Sequence, residues 1–320
     1  TTGSNGLYIA LLNPTSTPDV VDLSFVTPAG LSHPINFQGL VLGPGQTEVE
    51  NVSAFVQNES SVSTIVASRT GRMVASELES FSGSGSGLSI VAGNPRPESQ
   101  WTIPLSLELS GATSALDIFN PGSTPEHVTV RARLTSGPLE PLVATVAPDA
   151  TWHLETSAQT RIPDGGAYSS VIDASGGSGV VVSRIIDASS ASIAPQAGIE
   201  NAVDTESQNT PTHLWLLPSP GSASNPIVTG VLPVHVALFN ATAKAQTVVV
   251  SVFTPKGTRR ISSTTVPPSS FVSLAGSTLF RAGLNPLLVQ SNGALSVSED
   301  VGPSAAYGVV TMPGIPLAPG

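Results

Sequence analysis

The chain has 320 residues, a formal charge of −10, 40% hydrophobic but only 11% charged residues, and no cysteine. That apolar content excludes a disordered chain, and the missing thiols exclude disulfides, thiolate metal sites and cysteine nucleophiles together. Two lysines and a single adjacent basic pair, Arg259-Arg260, exclude a nucleic-acid surface, which needs clustered cations, and disfavour anionic lipid headgroups.

The predicted elements are short Val-rich runs separated by Gly and Pro throughout, the pattern of an all-β protein. Reading along the chain, one passage recurs. "LLNPTSTPDVVDLSFVTPAG" at 11–30 returns as "IFNPGSTPEHVTVRARLTSG" at 118–137 and as "LFNATAKAQTVVVSVFTPKG" at 238–257. Each copy is anchored on an asparagine that follows an apolar run: Asn13, Asn120 and Asn240. An asparagine there starts a turn, because its side chain caps the local backbone. An alternating strand comes next; in the second copy Val128, Val130, Ala132 and Leu134 share one face.

Seventeen residues after each asparagine stands a glycine, Gly30, Gly137 or Gly257, which marks a hairpin turn. A second breaker follows in each copy: "VLGPG", "TVAPD" and "TVPPS". Then come "MVASE", "VVVSR" and "LSVSE", whose serines are Ser76, Ser183 and Ser298. The "SGSGSG" run at 82–87 resembles a linker, but its place in the copy makes it a loop before a last strand. The linkers fall instead at 94–100 and 200–212, and each is followed by Trp-X-X-Pro, at Trp101–Pro104 and Trp215–Pro218.

These counts predict three tandem immunoglobulin-like β-sandwich repeats over residues 1–99, 100–210 and 211–320, the first without its Trp strand. Repeats of this length are too long for propeller blades. The start "TTGSNGLYIA" reads as a mature or trimmed segment, and the Ser/Thr/Ala/Gly/Pro-rich composition suggests a bacterial exported protein.

Trp101–Pro104 with Ile118–Pro121, and Trp215–Pro218 with Leu238–Asn240, are the stretches in which the chain resembles an uncharacterised family of actinobacterial exported proteins, often encoded beside cell-envelope glycosyltransferases. Ala241 departs from the proline expected after the third asparagine. The resemblance implies an extracytoplasmic, envelope-linked role and supplies no catalytic residues.

The residues themselves offer little chemistry. His33, His127, His153, His213 and His235 have no metal-ligand spacing; the first two and His213 read as solvated, His153 and His235 as structural strand residues. There is no Gly-X-Ser-X-Gly elbow, no phosphate-cradling loop before a helix, and no calcium-loop run around Asp164 or Asp173. Glu48 with Glu50, Glu77 with Glu79 and Glu299 with Asp300 are paired as glycosidase carboxylates could be, the first two pairs each on one strand face, but read as a solvated outer face. Trp101, Trp152 and Trp215 could stack on sugars; their positions at strand starts or beside Leu154 favour packing.

The expectation is a non-enzymatic, extracytoplasmic interaction or assembly module with no catalytic, cofactor or metal residues. Its partner would be a protein or an envelope glycan, and membrane attachment would come only through an anchor outside this segment. A glycan-binding module and a hydrolase on a β scaffold are the alternatives.

Overall fold

The computed structural model describes residues 6–57, 59, 61–81, 87–108, 113–187, 197–201, 203–204, 213–217, 234–275, 285–304 and 308–317. Among them the chain is all β, with one 3-10 turn at Ile35–Phe37. No helix of the described residues is long and apolar enough to cross a membrane.

In chain order the strands are β1 (Gly6–Leu12), β2 (Asp19–Thr27), β3 (Gly30–Ser32), β4 (Leu40–Leu42), β5 (Thr47–Asn51), β6 (Ser63–Ser68), β7 (Val74–Phe81) and β8 (Gly87–Ala92). There follow β9 (Gln100–Leu107), β10 (Thr113–Asn120), β11 (Glu126–Leu134), β12 (Gly137–Pro138), β13 (Leu142–Val146), β14 (Ala150–Glu155), β15 (Ala167–Ser175), β16 (Val181–Asp187), β17 (Ala197–Asn201) and β18 (Val203–Asp204). The last are β19 (Leu214–Leu217), β20 (Val234–Asn240), β21 (Gln246–Thr254), β22 (Gly257–Val266), β23 (Ser270–Ala275), β24 (Leu287–Ser291), β25 (Ser296–Ser304), β26 (Gly308–Pro313) and β27 (Ile315–Pro316).

They form open sheets that face each other in pairs. The first pair is β5-β1-β7-β8 against β2 with β3, β4 and β6. The second is β14-β10-β16-β17 against β12-β11-β15-β9-β18, with β13 also on β11. The third is β23-β20-β25-β26 against β22-β21-β24-β19-β27. Each pair closes one apolar cluster, because each strand turns only alternate residues inward. Leu7, Ile9 and Leu11 meet Val21, Leu23 and Phe25 in the first. Leu116 and Ile118 meet Val128, Val130 and Trp101 in the second. Val236 and Leu238 meet Val248, Val250 and Trp215 in the third.

Asn13, Asn120 and Asn240 end the corresponding strands β1, β10 and β20, and all three side chains are closed to solvent. Each amide nitrogen donates to the carbonyl four residues on: Thr17, Thr124 or Lys244, at 2.8 Å in each case. It also donates across the core, to the carbonyl of Leu42 at 3.1 Å, Val146 at 3.0 Å or Val266 at 3.1 Å. The side-chain oxygen accepts from the backbone N–H two residues on, at 2.9 Å each time. One buried amide therefore shapes the turn and ties it to a strand of the facing sheet, which leaves no polar atom of the group unpaired.

Gly30, Gly137 and Gly257 follow two-residue turns, with φ of 111°, 141° and 106°. A Cβ would meet nothing within 4 Å at any of them, so backbone conformation alone selects glycine.

Two sequence expectations are corrected here. The stretch 200–212, read as linker, contributes strand to Asn201, and Val203–Asp204 pairs with Thr102 and Trp101 of β9. Tertiary pairing overrides polar composition there; residues 205–212 lie outside the described residues. Asp173, read as a loop residue, lies in β15, where Gln100 donates to it at 2.6 Å and Arg131 pairs with it.

Candidate functional site

A cluster of polar side chains lies where the second sheet pair meets the first. In β10 the side chains of Leu116 and Ile118 enter the core, so Asp117 between them projects from the outer face toward the first pair. Its Oδ1 is 2.6 Å from His153 Nδ1 on the neighbouring β14. Its Oδ2 accepts from the Ser61 hydroxyl at 3.0 Å. Ser63 and Thr151 join hydroxyl to hydroxyl at 2.9 Å alongside. The hydrogen bond to Asp117 is the main reason the His153 imidazole titrates above its ordinary 6.5, against a smaller opposing effect of burial.

A cavity of about 150 Å³ adjoins this cluster, lined by Glu77, Glu79, Val91, Asp117, Phe119 and Ser183. A second, of about 340 Å³, lies on the other side of it, lined by Pro28, Gly30, Ser61, Asp149, Thr151 and His153.

The carboxylates do not lie on a solvated outer face as the sequence reading expected. Glu79 is opposite Leu7, and Glu77 opposite Ile9, so both point inward; Glu79 is buried. Glu48 and Glu50 likewise face Leu11 and Ile9 and are half-buried. Period two tells which residues share a face, and Met73 and Ala75, packed on the first core, decide which face it is. Burial, and then the charge of Glu79, push the Glu77 carboxyl up to about 7. Burial and the neighbouring Glu48 also raise Glu50.

The same inward position recurs. Glu77 faces Ile9, Arg184 faces Leu116 and Glu299 faces Val236, each partner four residues before its asparagine. Arg184 and Glu299 are fully buried. Burial pushes the Glu299 carboxyl up to about 7, and neither of its oxygens has a hydrogen-bond partner among the described residues. Ser76, Ser183 and Ser298 precede these residues, point the other way, and face Ala10, Asp117 and Ala237. Trp101 and Trp215 are buried in the second and third cores, and Trp152 packs against the second.

Chemically, Ser61, Asp117 and His153 do not make a nucleophile relay. The hydroxyl and the imidazole both bond to the carboxylate, on different oxygens, so no base withdraws the serine proton. The arrangement is a charge-assisted latch across the junction. Among the described residues no group of three or more His, Asp or Glu could hold a metal ion.

The other histidines bond singly: His33 to Ser24 at 2.7 Å, His127 to Thr145 at 3.0 Å and His235 to Ser273 at 3.1 Å. His213, expected to be solvated, is half-buried, and its Nδ1 lacks a partner among the described residues.

Residues 1–208 match a family described as one of unknown function, DUF5719. The chain belongs to this family. The DUF5719 match spans the first and second sheet pairs and the junction between them. No curated protein matches.

One shared feature escaped the sequence reading. Six residues after each asparagine stands a buried polar side chain: Asp19, Glu126 or Gln246. Asp19 accepts from the Ser68 and Thr70 hydroxyls at 2.6 and 2.7 Å, and Glu126 accepts from the Ser178 and Gly179 amides at 2.6 and 3.1 Å. Burial raises the Asp19 carboxyl, but its hydrogen bonds outweigh burial and leave it below its usual range. The constant offset from the asparagine was the available signal.

Proposed function

We propose that this chain is a non-catalytic interaction or assembly module built of three tandem immunoglobulin-like sandwich units, acting outside the cytoplasm at a bacterial cell envelope, with a membrane glycosyltransferase as the associated machinery. One observation carries the reading. Val41 and Val143 are exposed large apolar residues on β4 and β13, strands without charge or proline that, among the described residues, pair on one side only. Val143 is 71% exposed and Val41 63%. Proteins that work alone blunt such edges with charge or proline. Edges left apolar suit recognition by strand addition or by apolar contact. A sugar-stacking platform gains no support from Trp101 or Trp215, whose rings are committed to cores.

The test is a photo-crosslinking amino acid at Val143 or Val41 in the producing cells, followed by fractionation. Adducts to a single envelope protein, with the chain in the envelope fraction, are the expected result. A cytosolic chain without adducts would sink the reading.

A further inference from the structure

Charge is unevenly shared along the chain. Of its 22 acidic residues only Glu299 and Asp300 lie beyond Glu206, while five of its 12 basic residues do: Lys244, Lys256, Arg259, Arg260 and Arg281. Beyond Glu206 the chain therefore carries a formal charge of +3, within a total of −10. Of the two acids there, Glu299 is buried inside the third pair, and Asp300 stands opposite His235 in the sheet that faces β21 and β22.

Three of the five cations meet on one hairpin. Lys256 lies in the turn between β21 and β22, Arg259 and Arg260 follow at the head of β22, and all three are exposed. The matching places, one before and two and three after the hairpin glycine, hold Ala29, Ser32 and His33 in the first pair and Ser136, Leu139 and Glu140 in the second. The cations are therefore no demand of the fold. Arg260 stands opposite Ser251, and Arg259 opposite Val252, whose side chain enters the core; the two guanidinium groups leave the strand on different faces. Among the described residues no ion pair holds Lys256 or Arg260. β22 is also an edge. It is the end strand of its sheet and 10 residues long, where the other two pairs divide this edge between β3 and β4 or between β12 and β13. Ile261 is skipped in the pairing and packs on the core, which bends the edge next to Arg260.

We propose that the hairpin end of β22, with Lys256, Arg259 and Arg260, is a docking site for an extended acidic segment of a partner polypeptide. The proposal rests on the interaction-module reading and names the partner's chemistry. Backbone groups along the outer side of an edge strand select an extended polypeptide. Charge selects its side chains. Cations on an edge bar a neutral or basic strand, whereas two carboxylates adjacent in sequence meet one guanidinium on each face. The remainder of the molecule favours the same end, because its surplus of acid repels such a segment elsewhere and steers it to the third pair.

The probe is a labelled peptide, Thr-Val-Glu-Glu-Val-Thr, added to the full chain. Binding is followed by fluorescence anisotropy, and amide protection by hydrogen exchange. Expected are saturable binding, protection concentrated on Gly257–Val266, and affinity about tenfold lower in about 0.3 M salt than in about 0.05 M. The same peptide with Gln for both Glu should bind about tenfold more weakly, and the acidic peptide should lose as much on a chain with Arg259→Gln and Arg260→Gln. Exchange in β20 and β24 reports that this variant stays folded, and Lys256→Gln, in the turn, should weaken binding by a smaller factor. Arg131→Gln with Arg133→Gln, on the second pair, should leave binding unchanged. Protection on other strands, equal binding of the Gln peptide, or no loss in the Arg259 and Arg260 variant overturns the proposal. So does inorganic polyphosphate that displaces the peptide at equal charge and leaves β22 unprotected, which would assign the cations to a polyanion. Dimerisation of the chain alone that protects β22 overturns it too, by assigning the edge to a second copy. A cytosolic chain whose β22 is protected by the peptide would sink the envelope reading and leave the docking site standing. Envelope adducts without β22 protection would do the reverse.

Discussion

The first and second sheet pairs place the same asparagine and the same hairpin glycine at the same offsets, yet one inward position carries Glu77 in the first and Arg184 in the second. What each can neutralise explains the difference. The second pair is closed by β9, and behind it lies a buried polar cluster: the Tyr168 hydroxyl donates to Glu108 at 2.9 Å, and Ser114 bonds both Glu108 and Thr156. Burial pushes the Tyr168 hydroxyl up to about 12, while the Arg184 charge pulls against that rise. A closed interior can hold a full charge only among such partners. The first pair has no strand in the place of β9 among the described residues, and instead carries a carboxyl that keeps its proton near neutrality. In the third pair the Glu299 oxygens have no hydrogen-bond partner among the described residues, and this carboxyl answers in the same way, by holding a proton.

The comparison can be broken most forcefully by removing what closes the second pair. Trp101→Ala should cost about 3–5 kcal/mol in urea unfolding followed by Trp152 fluorescence, since it empties a core site and opens Ile172 and Val180 as Val66 and Met73 are open now. A loss below about 1 kcal/mol would show that β9 is not what closes that core. Next come Asn13→Ala and Asn120→Ala. Each strands buried carbonyls and should destabilise its own pair by about 2–3 kcal/mol, read by hydrogen exchange in β1 and β10. Unequal losses would mean that the two asparagines do different work.

The protonated carboxyls give a smaller, pH-dependent effect. Between the ordinary glutamate value of 4.5 and about 7, the folded chain holds a proton on Glu299 that the unfolded chain has released. Stability therefore falls as pH rises through that window and levels off above it. Glu299→Gln should remove this group's share of the slope and leave that of Glu77, raising stability by on the order of 1–2 kcal/mol at pH 8 and leaving it unchanged at pH 4, as measured by thermal unfolding across the range. Ser61→Ala should have the smallest effect, about 0.5–1.5 kcal/mol on the junction, because Asp117 keeps its bond to His153.

The all-β architecture was legible in the sequence because its signals are local: an asparagine turn, a glycine at a fixed offset, a run alternating every two residues. The phase of β7 was not, since the Glu77–Glu79 pair alternates equally well inward or outward until Met73 and Ala75 are seen on the core. Nor was the latch. Ser61 lies 56 residues from Asp117 and meets it only when the second pair docks on the first, while His153, 36 residues away, is brought to it by the pairing of β10 with β14. The strand-starting acids were visible in principle, but a polar residue at the head of a valine run looks solvated until its turn folds back over it.

β17 of the second sheet pair lies against both β8 of the first and β26 of the third. Bending at either junction must therefore part strand from strand along a seam. Such a molecule resists bending at both junctions, unlike domains strung on free linkers.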